Sequence, residues 1–98
     1  MGKLETTRPF PGKTADQVYK CFEPAYKQAG FVVWKRRPIA WLDLAKKVEG
    51  GVEIQSNLSA RPGTPPVITL SLTSSEHTRE QLEPLAEAIW QGLEGVLK

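Results

Sequence analysis

Between Thr78 and Lys98 the apolar residues Leu82, Leu85, Ala86, Ile89, Trp90, Leu93, Val96 and Leu97 return at intervals of three and four, while Glu83, Glu87, Gln91, Glu94 and Lys98 hold the other side. At 100° per residue the apolar set fills an arc of about 140°, which predicts a helix with one face to bury. A second pattern of the same period runs through Val18, Cys21, Phe22, Ala25, Tyr26 and Ala29, with Lys20, Glu23 and Lys27 opposite. Each begins at a capping box, Thr14-Ala15-Asp16-Gln17 and Thr78-Arg79-Glu80-Gln81, in which the threonine hydroxyl accepts from the glutamine amide and the glutamine side chain reaches back. Gly30 is placed to end the first helix as a left-handed residue. Each helix also carries a proline on its polar side, Pro24 and Pro84. There the carbonyl left without a partner stays hydrated, and a bend curves the helix around whatever it covers.

The remaining runs have the period of strands. Lys3 to Arg8 alternates loosely and is closed by Pro9-Phe10-Pro11-Gly12, which suits an edge. Phe31 to Arg36 is β-branched and aromatic, and Arg37-Pro38 closes it. Val52 to Leu58 and Ile68 to Thr73 alternate cleanly, each with one wet face. Ile39 to Val48 fits both periods, because Trp41, Leu44, Ala45 and Val48 also stand at helical spacing. It reads as a strand, since Glu49-Gly50-Gly51 supplies a tight turn to the next strand and no N-cap follows Pro38. On such a strand Leu42 and Leu44 are expected toward the core, with Asp43 toward water. Arg61 to Pro66 is a stiff, proline-rich loop.

These elements make one α+β domain over residues 1–98: strand, helix, four antiparallel strands and helix, with a curved sheet gripping the C-terminal helix. The expected core sets Leu82, Leu85, Ala86, Ile89 and Leu93 over Val52, Ile54, Ile68, Leu70 and Leu72. The order resembles the TATA-box-binding-protein-like topology, which the START-like helix-grip superfamily of small-ligand binders and polyketide cyclases also uses. The Pro24 bend is similar to the paired short helices near the start of helix-grip proteins. Gly30-Phe31-Val32-Val33-Trp34 and Pro38-Ile39-Ala40-Trp41 then resemble the first of their consecutive strands. The resemblance is one of topology along the whole chain, with two or so strands fewer and no binding or catalytic motif. It implies a ligand grip between sheet and helix.

Composition narrows the functional classes. Thirteen Lys and Arg face eleven Asp and Glu in 98 residues, so a net charge of +2 gives no global drive toward nucleic acid or an anionic membrane. With one cysteine, no apolar run of ~18 residues and no leader of the secretory type, the expected location is cytoplasmic. Cys21 reads as a buried structural thiol, and a lone histidine, His77, beside a lone cysteine makes a metal site or a cofactor unlooked for. There is no serine elbow and no glycine-rich phosphate loop, and Asp43 and Glu53 read as solvated charges. The favoured expectation is a non-enzymatic binding module. Phe22, Tyr26 and Trp90 would contact a small apolar ligand, or the uncovered sheet face would meet a partner protein or a second copy. The alternative is a polyanion or single-stranded nucleic acid held by Trp34, Lys35, Arg36, Arg37, Trp41, Lys46 and Lys47, where aromatic and cationic groups interleave. Ala88, Gly92 and Gly95 flank the apolar face of the last helix, and each glycine there costs ~1 kcal/mol of helix propensity, which asks for a close neighbour.

Overall fold

The structure is a computed structural model and describes residues 2–97; Met1 and Lys98, the two ends of the ranges given above, lie outside the described residues. The elements are β1 (Gly2–Pro9), α1 (Ala15–Tyr19), α2 (Phe22–Gln28), β2 (Val32–Arg37), a 3₁₀ turn (Pro38–Ala40), β3 (Leu42–Glu49), β4 (Val52–Arg61), β5 (Val67–Ser74) and α3 (Arg79–Leu97). The five strands form one sheet in the order β1-β5-β4-β3-β2, every neighbour antiparallel. The α+β order expected from the sequence is the observed one, and the first two strands of the chain become the two edges of the sheet.

Both capping boxes form. Gln17 N donates to Thr14 Oγ1 at 3.1 Å and Thr14 N to Gln17 Oε1 at 2.8 Å; Gln81 N donates to Thr78 Oγ1 at 3.2 Å and Thr78 N to Gln81 Oε1 at 2.8 Å. The first helical stretch is broken into two, and the break falls ahead of the proline, where Cys21 N turns back to the Val18 carbonyl at 2.9 Å. Pro24 thus stands in the first turn of α2, among the positions whose N–H groups have no intrahelical acceptor, and its missing donor is no loss. α3 continues through Pro84, which is exposed as the wheel requires, and buries Leu82, Ala86, Ile89, Trp90, Gly92 and Leu93. Gly92 explains itself: a Cβ there would lie 3.2 Å from both Cα and O of Ala25, so α2 and α3 touch backbone to backbone. Gly95 faces open space.

One turn decides which side chains of β3 enter the core. Gly50 and Gly51 both have positive φ, 61° and 79°, as a two-residue hairpin turn twisted to suit the strands requires. They pair Glu49 with Val52, and the ladder then sets Ala45 opposite Ser56 and Asp43 opposite Leu58. Ile54 and Leu58 are core residues, so Asp43 and Ala45 share their face. This corrects two expectations. The strand starts at Leu42, because Pro38–Ala40 is a 3₁₀ turn closed by Trp41 in a left-handed conformation, φ 48°. And Asp43 is fully buried, while Leu42 and Leu44 are half-buried on the outer face.

Candidate functional site

Phe22, Tyr26 and Trp90, the residues expected to contact a ligand beneath α3, are 0%, 0% and 1% exposed. Trp90 Nε1 donates to Thr6 Oγ1 at 2.9 Å, and its ring stacks on Phe10 at a centroid separation of 6.2 Å. The Tyr26 hydroxyl pairs with Ser56 Oγ at 2.9 Å, and burial pushes its pKa well above the ordinary phenol value. The three side chains fill the grip with their own packing, and none of them lines the open clefts described below.

Under the α1–α2 junction lies a polar group that no single stretch of sequence announces. The Asp43 carboxylate accepts from the Tyr19 hydroxyl at 2.6 Å, and Arg36 Nε meets both of its oxygens at 3.1 Å. Arg36 also lies over the Tyr19 ring, 4.8 Å from its centroid, and its Nη1 is 3.8 Å from Glu23. A carboxylate with no exposed surface needs such partners, because burying an unpaired charge is far costlier than burying one that is paired. Burial, together with the hydrogen bond and charge of Asp43, raises the Tyr19 pKa to about 12. For Arg36 burial works against the charge, but Asp43 outweighs it and the pKa rises.

The aromatic and basic hairpin is divided by the fold. Trp41 turns inward enough for its Nε1 to donate to Asp16 Oδ1 at 2.7 Å. Lys46 lies 3.8 Å from Glu53; Lys47 lies 3.8 Å from Glu49 and donates to the Ala29 carbonyl at 3.3 Å. Arg36 is committed to Asp43. That leaves Lys35 and Arg37 without a carboxylate within 4.0 Å among the described residues, beside Trp34, which is the extra residue of a bulge between Val33 and Lys35 and is 51% exposed. The sequence thus named seven residues of one hairpin, and the structure keeps three of them on open surface together.

An open cleft of about 660 Å³ runs between α2 and the free edge of β2 and is lined by Glu23, Pro24, Lys27, Phe31, Val32 and Val33. The split helix makes it: Pro24 and Lys27 are on the exposed face of α2, while the Gly30 turn (φ 83°) brings Phe31 and Val32 back alongside. Its walls are mainly apolar, and its size is within the ~300–1,000 Å³ of ligand pockets. A second cleft of about 470 Å³ separates the start of α1 from the Pro62–Pro65 loop, with Trp41 between them. No sequence signal pointed to the α2–β2 cleft as a site; β2 is exposed at every residue but half-buried Val33, and Val32 at the cleft wall is 64% exposed.

The remaining reactive groups are structural in their surroundings. Cys21 is buried, which raises its thiol pKa despite nearby Lys13. Ser74 Oγ accepts from the His77 and Glu76 amides at 3.2 and 3.4 Å and shares a hydrogen bond with His77 Nδ1 at 2.8 Å, which fixes the turn into α3. Among the described residues no three His, Cys, Asp or Glu side chains gather as metal ligands, and no helix is long and apolar enough to cross a membrane.

No protein-family model matches the chain, and no curated protein matches it. Solved structures do. TTHA0849 from Thermus thermophilus superposes with a TM-score of 0.69 at 13% identity, covering 98% of this chain and 97% of that one. A truncated norcoclaurine synthase from Thalictrum flavum gives 0.58 at 12% identity, covering 99% and 96%. Ara h 8.0201 gives 0.52 at 10% identity, covering 97% and 96%. At such identities the likeness is one of fold: this chain has the helix-grip, START-like fold that its topology resembled, with five strands in its sheet.

Proposed function

We propose that this protein is a non-enzymatic binding domain that takes a small, mainly apolar ligand or an apolar segment of a partner protein in the cleft between α2 and β2. The observation that carries the reading is the cleft itself, apolar and about 660 Å³, beside an interior closed by Phe22, Tyr26 and Trp90. A ligand beneath α3 would have to move those three side chains first, at the cost of well-packed buried surface. One structural neighbour is named as a synthase. The nearest thing to reactive chemistry here is the Tyr19–Asp43–Arg36 group. Asp43 has no exposed surface and both oxygens engaged, and a phenol with a pKa of about 12 is poorly matched to proton transfer near neutrality.

The test uses anilinonaphthalene sulfonate, an apolar fluorescent anion, on a chain carrying Trp34→Phe and Trp41→Phe so that Trp90 is the one remaining tryptophan. The expected result is binding that weakens by about tenfold on Val32→Asp while Trp90 emission stays unchanged. Binding that shifts Trp90 emission and ignores Val32→Asp would relocate the site beneath α3. No binding by this probe would sink the cleft reading.

A further inference from the structure

Resting on the cleft reading, we infer that the free edge of β2 is a docking strand for an extended segment of another protein, apolar on one side and acidic on the other, which adds a sixth strand to the sheet. β2 pairs on one side only, with β3, and the backbone groups of such an edge are available to a further strand. The α2–β2 cleft lies along this edge. In strand addition the main chain supplies affinity and alternate side chains supply choice, so the two sides of β2 define the partner.

The inner side offers Val33, whose cross-strand partner is buried Ala45, with Phe31 and Pro24 at the cleft wall. The outer side offers Val32 opposite the exposed Lys46, and then Lys35 and Arg37, which pair with the half-buried, outward Leu44 and Leu42. Arg36, opposite buried Asp43, turns inward and is neutralised there. Lys27 at the cleft rim has no carboxylate within 4.0 Å among the described residues, like Lys35 and Arg37, and the one acid of the cleft, Glu23, already leans toward Arg36. An incoming strand therefore meets apolar surface inward and uncompensated positive charge outward and at the rim. Valine-like residues alternating with glutamate-like ones answer both.

The same charges argue against a second copy of this chain. An antiparallel β2 pair centred on Lys35 sets Lys35 against itself, and one centred on Arg36 sets Lys35 against Arg37. Like charges directly opposite are destabilising. Centring on Trp34 places the bulge at the middle of the ladder, where pairing is locally disrupted. The bulge and the cations together repel self-pairing, and the cations attract an acidic strand.

The experiment is fluorescence anisotropy with a short labelled peptide of alternating valine and glutamate, with two N-methylated versions that each block one edge of the peptide backbone, and with a valine–lysine control. Expected are binding of the valine–glutamate peptide, loss of binding for one N-methylated version only, no binding of the control, and about tenfold weakening by Lys35→Glu with Arg37→Glu or by raised salt. Both substituted residues are exposed, and circular dichroism verifies that the variant folds. If both N-methylated versions bind like the parent, the contact is not strand addition and the inference falls. Dimerisation through β2 seen by sedimentation and abolished by the double substitution, or a single-stranded oligonucleotide that displaces the peptide, would also overturn it. Binding of anilinonaphthalene sulfonate at Val32 without peptide binding defeats this inference alone, whereas failure of that probe to bind defeats the cleft reading beneath it.

Discussion

β1 and β2 each have a single neighbour in the sheet, yet the two edges are finished differently. α3 packs on β1 and pins it at two points. Trp90 Nε1 reaches Thr6, and the Arg8 guanidinium splits between Glu94 and Glu87 at 3.1 Å each while lying over the Trp90 ring, 4.8 Å from its centroid. β2 receives one anchor, the Arg36–Asp43–Tyr19 group, and beyond it Val32, Trp34, Lys35 and Arg37 stand in water. One edge is held by the helix that the fold grips; the other is held from below and left open along its side. The proposed docking at β2 rests on this difference, because an edge can accept a partner only where its own chain leaves it unclaimed.

Removing the anchor of β2 should have the largest effect. Asp43→Ala leaves the Arg36 and Tyr19 donors without their acceptor beneath the sheet, and loss of one member of a buried ion pair costs about 3–5 kcal/mol as a rule. Arg36 keeps 37% of its side chain exposed, so an effect near the lower end, about 3 kcal/mol, is expected, together with loosening of β2 before β1. Urea denaturation gives the first quantity and hydrogen exchange of the β2 and β1 amides the second. Equal loss of protection in the two edges would mean that Asp43 supports the whole sheet and not its β2 side.

Next comes the spacing of α2, which sets one wall of the cleft. Gly92→Ala puts a methyl 3.2 Å from the Ala25 backbone, and overpacking of this kind costs ~1–3 kcal/mol, more than the ~1 kcal/mol of helix propensity that alanine adds. Gly95→Ala meets nothing within 4 Å and keeps only the propensity gain, so it should stabilise by up to ~1 kcal/mol. Thermal midpoints moving in opposite directions are the expected outcome. Two midpoints moving upward together would show that α2 can retreat from α3 and that the cleft is adjustable.

How much of this was legible beforehand depended on whether the signal was local. The caps at Thr14 and Thr78, the apolar face of α3 and the exposed sides of Pro24 and Pro84 follow from residues a few positions apart, and they stand as expected. The inward turn of Asp43 does not. Apolar Leu42 and Leu44 beside it outweigh it locally, and its partners Tyr19 and Arg36 are brought in by the fold, 24 and 7 positions away. Yet a signal existed: a Gly50-Gly51 turn pairing Glu49 with Val52 carries the parity of Ile54 and Leu58 onto Asp43 and Ala45. The α2–β2 cleft had no such marker, because Pro24, Phe31 and Val33 become one surface only after α2 and β2 lie side by side.

The pH dependence of the anchor follows from Tyr19, whose folded-state pKa is raised from 10.0 to about 12. Below pH 10 the phenol is protonated in both the folded and unfolded chains, and its contribution to stability is complete. Between about 10 and 12 the unfolded chain has released the proton and the folded one has not, so stability falls as pH rises through that window. Tyr19→Phe should flatten this decline without abolishing it, since Tyr26 is also raised. Denaturation midpoints across the alkaline range test it, and an identical slope in the variant would show that the Tyr19 hydroxyl does not hold its proton for Asp43.

The smallest effect belongs to the clamp on β1. The two carboxylate contacts of Arg8 join side chains that are between 37% and 53% exposed, and ion pairs in such positions contribute ~0–1 kcal/mol. Its stacking on Trp90 adds ~0.5–1 kcal/mol at a site of this exposure. Arg8→Ala should therefore lower global stability by only about 1 kcal/mol. Its local consequence is larger in kind: the end of β1 near Pro9 loses its tie to α3, and the amides there should exchange faster, approaching the rates at the free edge of β2. The remaining tie, Trp90 Nε1 to Thr6, lies two residues back and should keep the start of β1 protected. If amide exchange along β1 is unchanged in the variant, the closed character of that edge comes from the packing of α3 alone, and the charges of Glu87 and Glu94 are incidental to it.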